Sequence, residues 1–243
     1  MGNRRHCGGF SHCRAVGYRG RQGVVEAMER LAQKKGMIFD LDGTLLDSMW
    51  IWDEVDRRFL AKRGIALPPD YMEAVNALEF SQAAAYTISR FALEDSPAAL
   101  IREWTELSRQ AYACEIRLKP GAKAYLARLR QNGIRLGVAT SSARELFVPA
   151  LKNNGIYDYF TAFATTKEAG KGKDFPDVYC LAARRLGLGP SECAVFEDTL
   201  TGLKGAAAGG FLTVGVYDAF STAEQAAVMQ ASNLYIKDFL ELI

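Results

Sequence analysis

Short apolar runs alternate with amphipathic helical stretches along most of this chain, and that alternation constrains its fold more than any other feature. Residues 36–41, 134–140, 159–165, 193–197, 211–216 and 234–236 read as buried strands. Between them, residues 121–132, 144–153, 176–186 and 201–208 carry the 3.6-residue period of helices packed on one face. Strand, helix and strand at such spacings predict an α/β fold with a parallel sheet covered on both faces.

One block breaks the alternation. From about residue 53 to residue 118 only helical periodicity is found, as in Val55, Phe59 and Leu60 or Leu100, Ile101, Trp104 and Leu107. Pro68 and Pro69, then Ser96 and Pro97, divide it into three or four helices. An all-helical insert placed straight after the first strand reads as a lid, with Lys119, Pro120 and Gly121 as its return hinge. The expected organisation is a disordered basic tail over residues 1–35, a core built from 36–50 and 119–243, and a helical cap over 51–118.

The net charge of +2 conceals two unlike parts. Residues 1–35 carry eight Lys or Arg against two acids, whereas the remainder carries 22 against 26. The body is therefore mildly acidic and offers no basic stripe for nucleic acid. No apolar run reaches the ~20 residues of a membrane-spanning helix, so no membrane partner is expected. The five cysteines are scattered and odd in number, which predicts free thiols in a reducing, cytoplasmic setting. In the tail, His6-Cys7 and His12-Cys13 could meet a metal, although adjacent ligands suit one tetrahedral ion poorly. The bland reading of that tail, a disordered extension, is preferred. Met28 and Met37 offer internal starts, and the expectation is that a chain beginning at Met28 keeps its activity.

The first strand runs into Asp40-Leu41-Asp42-Gly43-Thr44. Ligands of open α/β sheets bind beyond the carboxyl ends of the strands, and two carboxylates there repel unless a cation or proton offsets them. A second strand ends in three hydroxyls, Thr140, Ser141 and Ser142; Lys173 follows a third; Glu197 and Asp198 end a fourth. Carboxylates, hydroxyls and one cation at a common edge are the equipment of metal-assisted phosphoryl transfer.

Residues 39–48, Phe-Asp-Leu-Asp-Gly-Thr-Leu-Leu-Asp-Ser, together with Thr140, Lys173 and Glu197-Asp198 in order and spacing, resemble the four motifs of the haloacid dehalogenase-like superfamily. The likeness is to its phosphatase and β-phosphoglucomutase-like branch with a helical cap, and it covers about residues 36–240. It implies a Rossmann-like three-layer core. It also implies Asp40 as a nucleophile that forms an aspartyl-phosphate, and Asp42 as the acid and base that serves the leaving oxygen and then water. Mg²⁺ would be held by Asp40, Asp198 and the backbone carbonyl of Asp42, with Glu197 in or just outside its shell. Thr140, Ser141 and Lys173 would hold the phosphoryl oxygens.

Three departures narrow the reading. Asp174 stands beside Lys173 where relatives carry proline, yet Lys173 keeps the motif's register better than Lys171. Trp52 occupies the position twelve residues beyond Asp40 where sugar-phosphate mutases carry a histidine. Lys62, the cap's lysine, comes too early to match a Schiff-base lysine of phosphonate hydrolases. The expected function is thus a Mg²⁺-dependent phosphatase for a small phosphate ester, working as a monomer or weak dimer. A mutase and a non-catalytic binding module are the alternatives. Substrate choice should fall to cap residues such as Trp50, Trp52, Glu79, Ser81 and Gln82. Packing at the hinge is the competing account of the tryptophans.

Overall fold

The computed structural model describes residues 21–75, 78 and 80–243. The tail pairs His6-Cys7 and His12-Cys13 and the cap candidate Glu79 lie outside these residues. Six parallel strands form the core sheet: β1 (Gly36–Phe39), β4 (Arg135–Thr140), β5 (Ala162–Thr165), β6 (Cys193–Glu197), β7 (Leu212–Val216) and β8 (Leu234–Ile236). Their spatial order is β5-β4-β1-β6-β7-β8. The crossovers are α6 (Ala122–Gln131), α7 (Arg144–Asn153), α9 (Asp177–Arg185), α10 (Leu200–Ala208) and α11 (Gln225–Ala231). A further short helix, α8 (Thr166–Ala169), follows β5.

Side chains of each strand alternate between two apolar layers. Phe39, Val138, Phe196 and Val214 enter one layer with Tyr125 and Phe239, and Phe39 stacks on Phe196 at 4.5 Å between ring centres. Ile38, Ala139 and Val195 enter the other, against Val178, Tyr179 and Ala182 of α9. The parallel sheet covered on both faces is the one the alternating sequence predicts, and its three layers are the Rossmann-like core that the resemblance implies. At Phe160 the chain is still extended and β5 begins only at Ala162, because residues 157–159 form a 3₁₀ turn.

The N-terminal boundary needs correction. A disordered tail was expected to reach residue 35, but α1 (Arg21–Ala32) is helical and buries Ala27 and Leu31 in the core. Val24, Ala27 and Leu31 recur at helical spacing, a signal diluted by the glycine- and arginine-rich residues before it. A chain beginning at Met28 would lose Ala27 and the first half of α1.

The helical block is inserted between two very short strands, β2 (Leu46–Asp47) and β3 (Arg117–Leu118), which pair antiparallel. Within it lie α2 (Ile51–Ala61), α3 (Tyr71–Val75), α4 (Phe80–Phe91) and α5 (Pro97–Cys114). Ser96 caps α5 by accepting from the Ala99 N–H, with Pro97 at the first helical position. Phe59 and Trp104 meet edge to face at 5.8 Å between α2 and α5, and α5 also packs along α7 of the core. Arg58 bridges Glu54 and Glu115, and Arg63 bridges Asp95 and Glu103.

Asp56 is buried in this block and accepts a 3.4 Å hydrogen bond from the Tyr71 hydroxyl. Burial pushes its carboxyl up to about 7, against ~3.9 for an unfolded aspartate. The native state therefore retains a proton that the unfolded chain gives up, and this contribution to stability is lost as pH rises through 7. Urea unfolding between pH ~4 and ~7 should show wild-type stability falling with pH relative to Asp56→Asn. Parallel profiles would show that Asp56 does not hold its proton.

Candidate active site

β1 lies between β4 and β6, where successive crossovers depart in opposite directions along the sheet, so a crevice opens at its carboxyl end. The register Phe39↔Phe196 brings the chain segments after β1 and β6 level, and the Asp40 N–H donates to the Phe196 carbonyl. Asp40, Glu197 and Asp198 consequently meet, each buried, with one carboxylate oxygen apiece within 4.8 Å of the others.

The Lys173 ammonium sits among them, paired with Asp40 and, at 2.5 Å, with Glu197 Oε1. Burial alone would weaken its hold on a proton, but the two carboxylates outweigh that and raise its pKa. Lys171 is exposed and pairs instead with Asp177 at 3.4 Å. Asp174 is exposed as well and makes no ion pair with Lys173. One lysine does not balance three carboxylates. Burial chiefly, reinforced by Glu197 and Asp198, pushes Asp40 well above the ordinary range despite Lys173. Burial followed by the Glu197 charge raises Asp198 to about 7.

Each acid has its own support. Glu197 Oε1 accepts from the Tyr179 hydroxyl at 2.8 Å and Glu197 Oε2 from the Thr199 hydroxyl at 3.0 Å. Thr44 donates to Asp198 at 2.8 Å. Gly43 lets these loops close: its φ is +79°, and a Cβ there would fall 2.4 Å from Asp198 Oδ2. On α10, a Cβ at Gly205 would fall 2.0 Å from the Lys173 carbonyl oxygen, so only glycine admits the lysine loop.

Asp42 stands apart from the cluster. Its carboxylate accepts from Ser48 at 2.7 Å, from the Tyr112 hydroxyl at 2.5 Å and from Ser142. Those donors come from the start of the helical block, its last helix and the loop after β4. Thr140 is buried at the end of β4, its oxygen accepting from the Ser142 N–H at 3.0 Å. Ser141, the hydroxyl singled out from sequence, is exposed, and it is Ser142 that meets Asp42. Ser81 lies exposed on α4, as does Trp52 on α2, while Trp50 donates from its indole to the Asp47 carbonyl. Tyr112 and Tyr179 were not singled out from sequence. Each occupies a buried position on its helix, so the hydrophobic period alone reads it as core.

The donor set fits a hard divalent cation: carboxylate oxygens only, buried, and with more negative charge than Lys173 offsets. Removing the lysine should expose that imbalance. In metal-free buffer Lys173→Met is expected to cost about 3–5 kcal/mol, because Asp40 and Glu197 lose their buried cation. Lys171→Met, on an exposed pair, should stay within about 0.5 kcal/mol in the same urea titration.

The profile of the haloacid dehalogenase-like hydrolase family matches residues 34–210. Hexitol phosphatase A of Escherichia coli is 35% identical over 178 residues, covering 72% of this chain and 80% of that protein. Fructose-1-phosphate phosphatase YqaB of the same organism is 29% identical over 181 residues, covering 74% and 95%. Among solved structures, CbbY of Rhodobacter sphaeroides in complex with phosphate superposes with a TM-score of 0.68 at 23% identity, covering 86% of this chain and 96% of that one. β-Phosphoglucomutase of Clostridium difficile superposes with a TM-score of 0.62 at 19% identity, covering 86% and 93%. These last two likenesses bear on the fold. With the family profile spanning most of the chain and a relative above 30% identity, this chain is an enzyme of the haloacid dehalogenase-like hydrolase family.

Proposed function

We propose that the enzyme hydrolyses a small phosphate monoester, of the sugar or sugar-alcohol class, through a phosphoryl group carried on Asp40. The observation that carries this reading is the pair of aspartates two residues apart with opposite surroundings. Asp40 is buried against Lys173 beside two further carboxylates, whereas Asp42 is held by three hydroxyls. Environments so different suit a nucleophile and a proton carrier. The relatives named above, a hexitol phosphatase and a fructose-1-phosphate phosphatase, support the substrate class.

A carboxylate oxygen of Asp40 attacks phosphorus, the ester oxygen departs with a proton from Asp42, and an aspartyl-phosphate remains. Asp42 then takes a proton from the water that attacks the same phosphorus, and Asp40 is regenerated. Thr140 and Lys173 are assigned to the phosphoryl oxygens, joined by Ser141 at the rim of the crevice. Mg²⁺ would be held by Asp40, Asp198 and the Asp42 carbonyl, with Glu197 behind it. Bound there, the ion supplies positive charge that offsets the repulsion between Asp40 and an incoming phosphate. The helices between β2 and β3 serve as a lid that excludes water over the crevice.

Phosphate release from fructose 1-phosphate and hexitol phosphates tests the reading directly. Release should require Mg²⁺, stop on chelation and be absent in Asp40→Asn. Isomerised phosphate ester with little free phosphate would overturn hydrolysis in favour of a mutase. Tyr112 gives a finer test, since its hydroxyl donates to the Asp42 carboxylate. Tyr112→Phe should lower kcat/KM for an alkyl phosphate by ~10-fold or more, because the leaving alkoxide needs its proton. With p-nitrophenyl phosphate, whose leaving group needs none, the change should remain within ~3-fold. Equal losses on both substrates would make Tyr112 a packing residue only.

A further inference from the structure

Where the chain returns from the helical block it makes a buried ion pair that the acidic cluster does not use. Lys119 follows β3 directly, and its ammonium lies 2.5 Å from Asp218 Oδ2, with the Tyr217 carbonyl at 3.3 Å. The two paired side chains are 10% and 1% exposed. Asp218 is fixed in turn, because its other carboxylate oxygen accepts from the Phe220 N–H at 2.8 Å. Tyr217 and Asp218 follow β7, so the pair fastens the return hinge to a loop of the core.

Backbone hydrogen bonds carry that anchor towards Asp42. The Lys119 N–H donates to the Leu45 carbonyl at 2.9 Å. Leu46, the next residue, accepts from the Gly43 N–H at 3.0 Å and donates to the Leu41 carbonyl at 2.8 Å, closing the turn that carries Asp42. Ser48, two residues on, donates to the Asp42 carboxylate. Packing alone does not fix this joint, since a cavity of about 260 Å³ opens beside it, lined by Asp47, Lys119, Pro120, Tyr217 and Asp218 among others. A pair of strands two residues long, beside a void, has few contacts to resist a shift. An ion pair taken out of water supplies that resistance, because separating it leaves each charge buried and alone. At the other end of β3 the Asn154 side chain donates to the Ile116 carbonyl at 2.9 Å, so the strand is tethered on both sides.

We infer that Lys119, locked to Asp218, is a positioning residue that holds the turn over residues 41–48 in place and with it the Asp42 carboxylate. The catalytic half of this inference rests on the proposed role of Asp42 as proton carrier, and the structural half does not.

Lys119→Met, Asp218→Asn and the double variant test it in the full chain, with Lys237→Met, an exposed lysine on the same cavity, as control. The double variant leaves no unpaired buried charge, and its asparagine can still accept from Phe220, so it stays folded even where a single variant does not. Amide hydrogen exchange over residues 42–48 and 117–119 should quicken ~10-fold or more in the double variant, with β5 on the far side of the sheet unchanged. In the same protein kcat/KM for an alkyl phosphate should fall ~10-fold or more, while p-nitrophenyl phosphate stays within ~3-fold. Lys119→Met removes a positive charge and Asp218→Asn a negative one. A field acting at a distance would therefore move activity in opposite directions, whereas a lost anchor lowers it in both. Lys119→Arg, which restores the pair, should recover most of the loss. Unchanged exchange over residues 42–48, effects of opposite sign, or equal losses on both esters overturns the inference. If the wild-type chain hydrolyses neither ester, the hydrolytic reading fails separately, and the exchange result still decides whether the pair holds the turn.

Discussion

Lys173 is the contact on which the candidate site depends. Three buried carboxylates converge at the carboxyl end of the sheet, and this ammonium is the one cation paired with them among the described residues. Without it the cluster would have to take up protons or draw in water, because isolated charges are costly in so dry a setting. With it the cluster remains short of positive charge, as the raised Asp40 and Asp198 record. That shortfall suits the function proposed above, in which the site receives a divalent cation together with a phosphate dianion. The two ligands can arrive as a nearly neutral pair.

The neighbouring carboxylate solves a different problem. Asp42 follows Asp40 by two residues, yet its partners are hydroxyls and not charges. Because one of them is Tyr112 of α5 and another is Ser142 in the loop after β4, the helical block and the core hold the same side chain between them. Any displacement of the block would loosen that grip, which, in the function proposed above, ties the placement of Asp42 to that of the block.

The sheet and the motif residues were legible from sequence because they rest on local signals. Strand runs, crossover helices and acids at strand ends each show within a few residues, and the choice of Lys173 over Lys171 followed register alone. Contacts made across the chain left no such trace. Tyr112 reaches Asp42 across 70 residues, and nothing in the period of α5 distinguishes it from Trp104 or Leu100, which merely pack. That Ser142 meets Asp42 depends on how one loop turns after β4, which neighbouring residues do not announce. Helix α1 was obscured for another reason: a glycine- and arginine-rich approach lowered the apolar average just where Val24, Ala27 and Leu31 begin their period.

The pairing of β1 with β6 carries one more consequence. Phe39 and Phe196 are matched in register and stacked, and the acids follow each of them immediately. The apolar layer beneath thus acts as a ruler that sets the height of both carboxylates. An insertion or deletion of one residue in either strand would carry a charge into the aromatic layer and lift a phenyl ring into the crevice. Evolution of this enzyme can change residues along those strands but not their length. Variation in length is left to the segments that leave the sheet, above all the stretch between β2 and β3, where residues can be gained or lost without shifting Asp40 and Glu197.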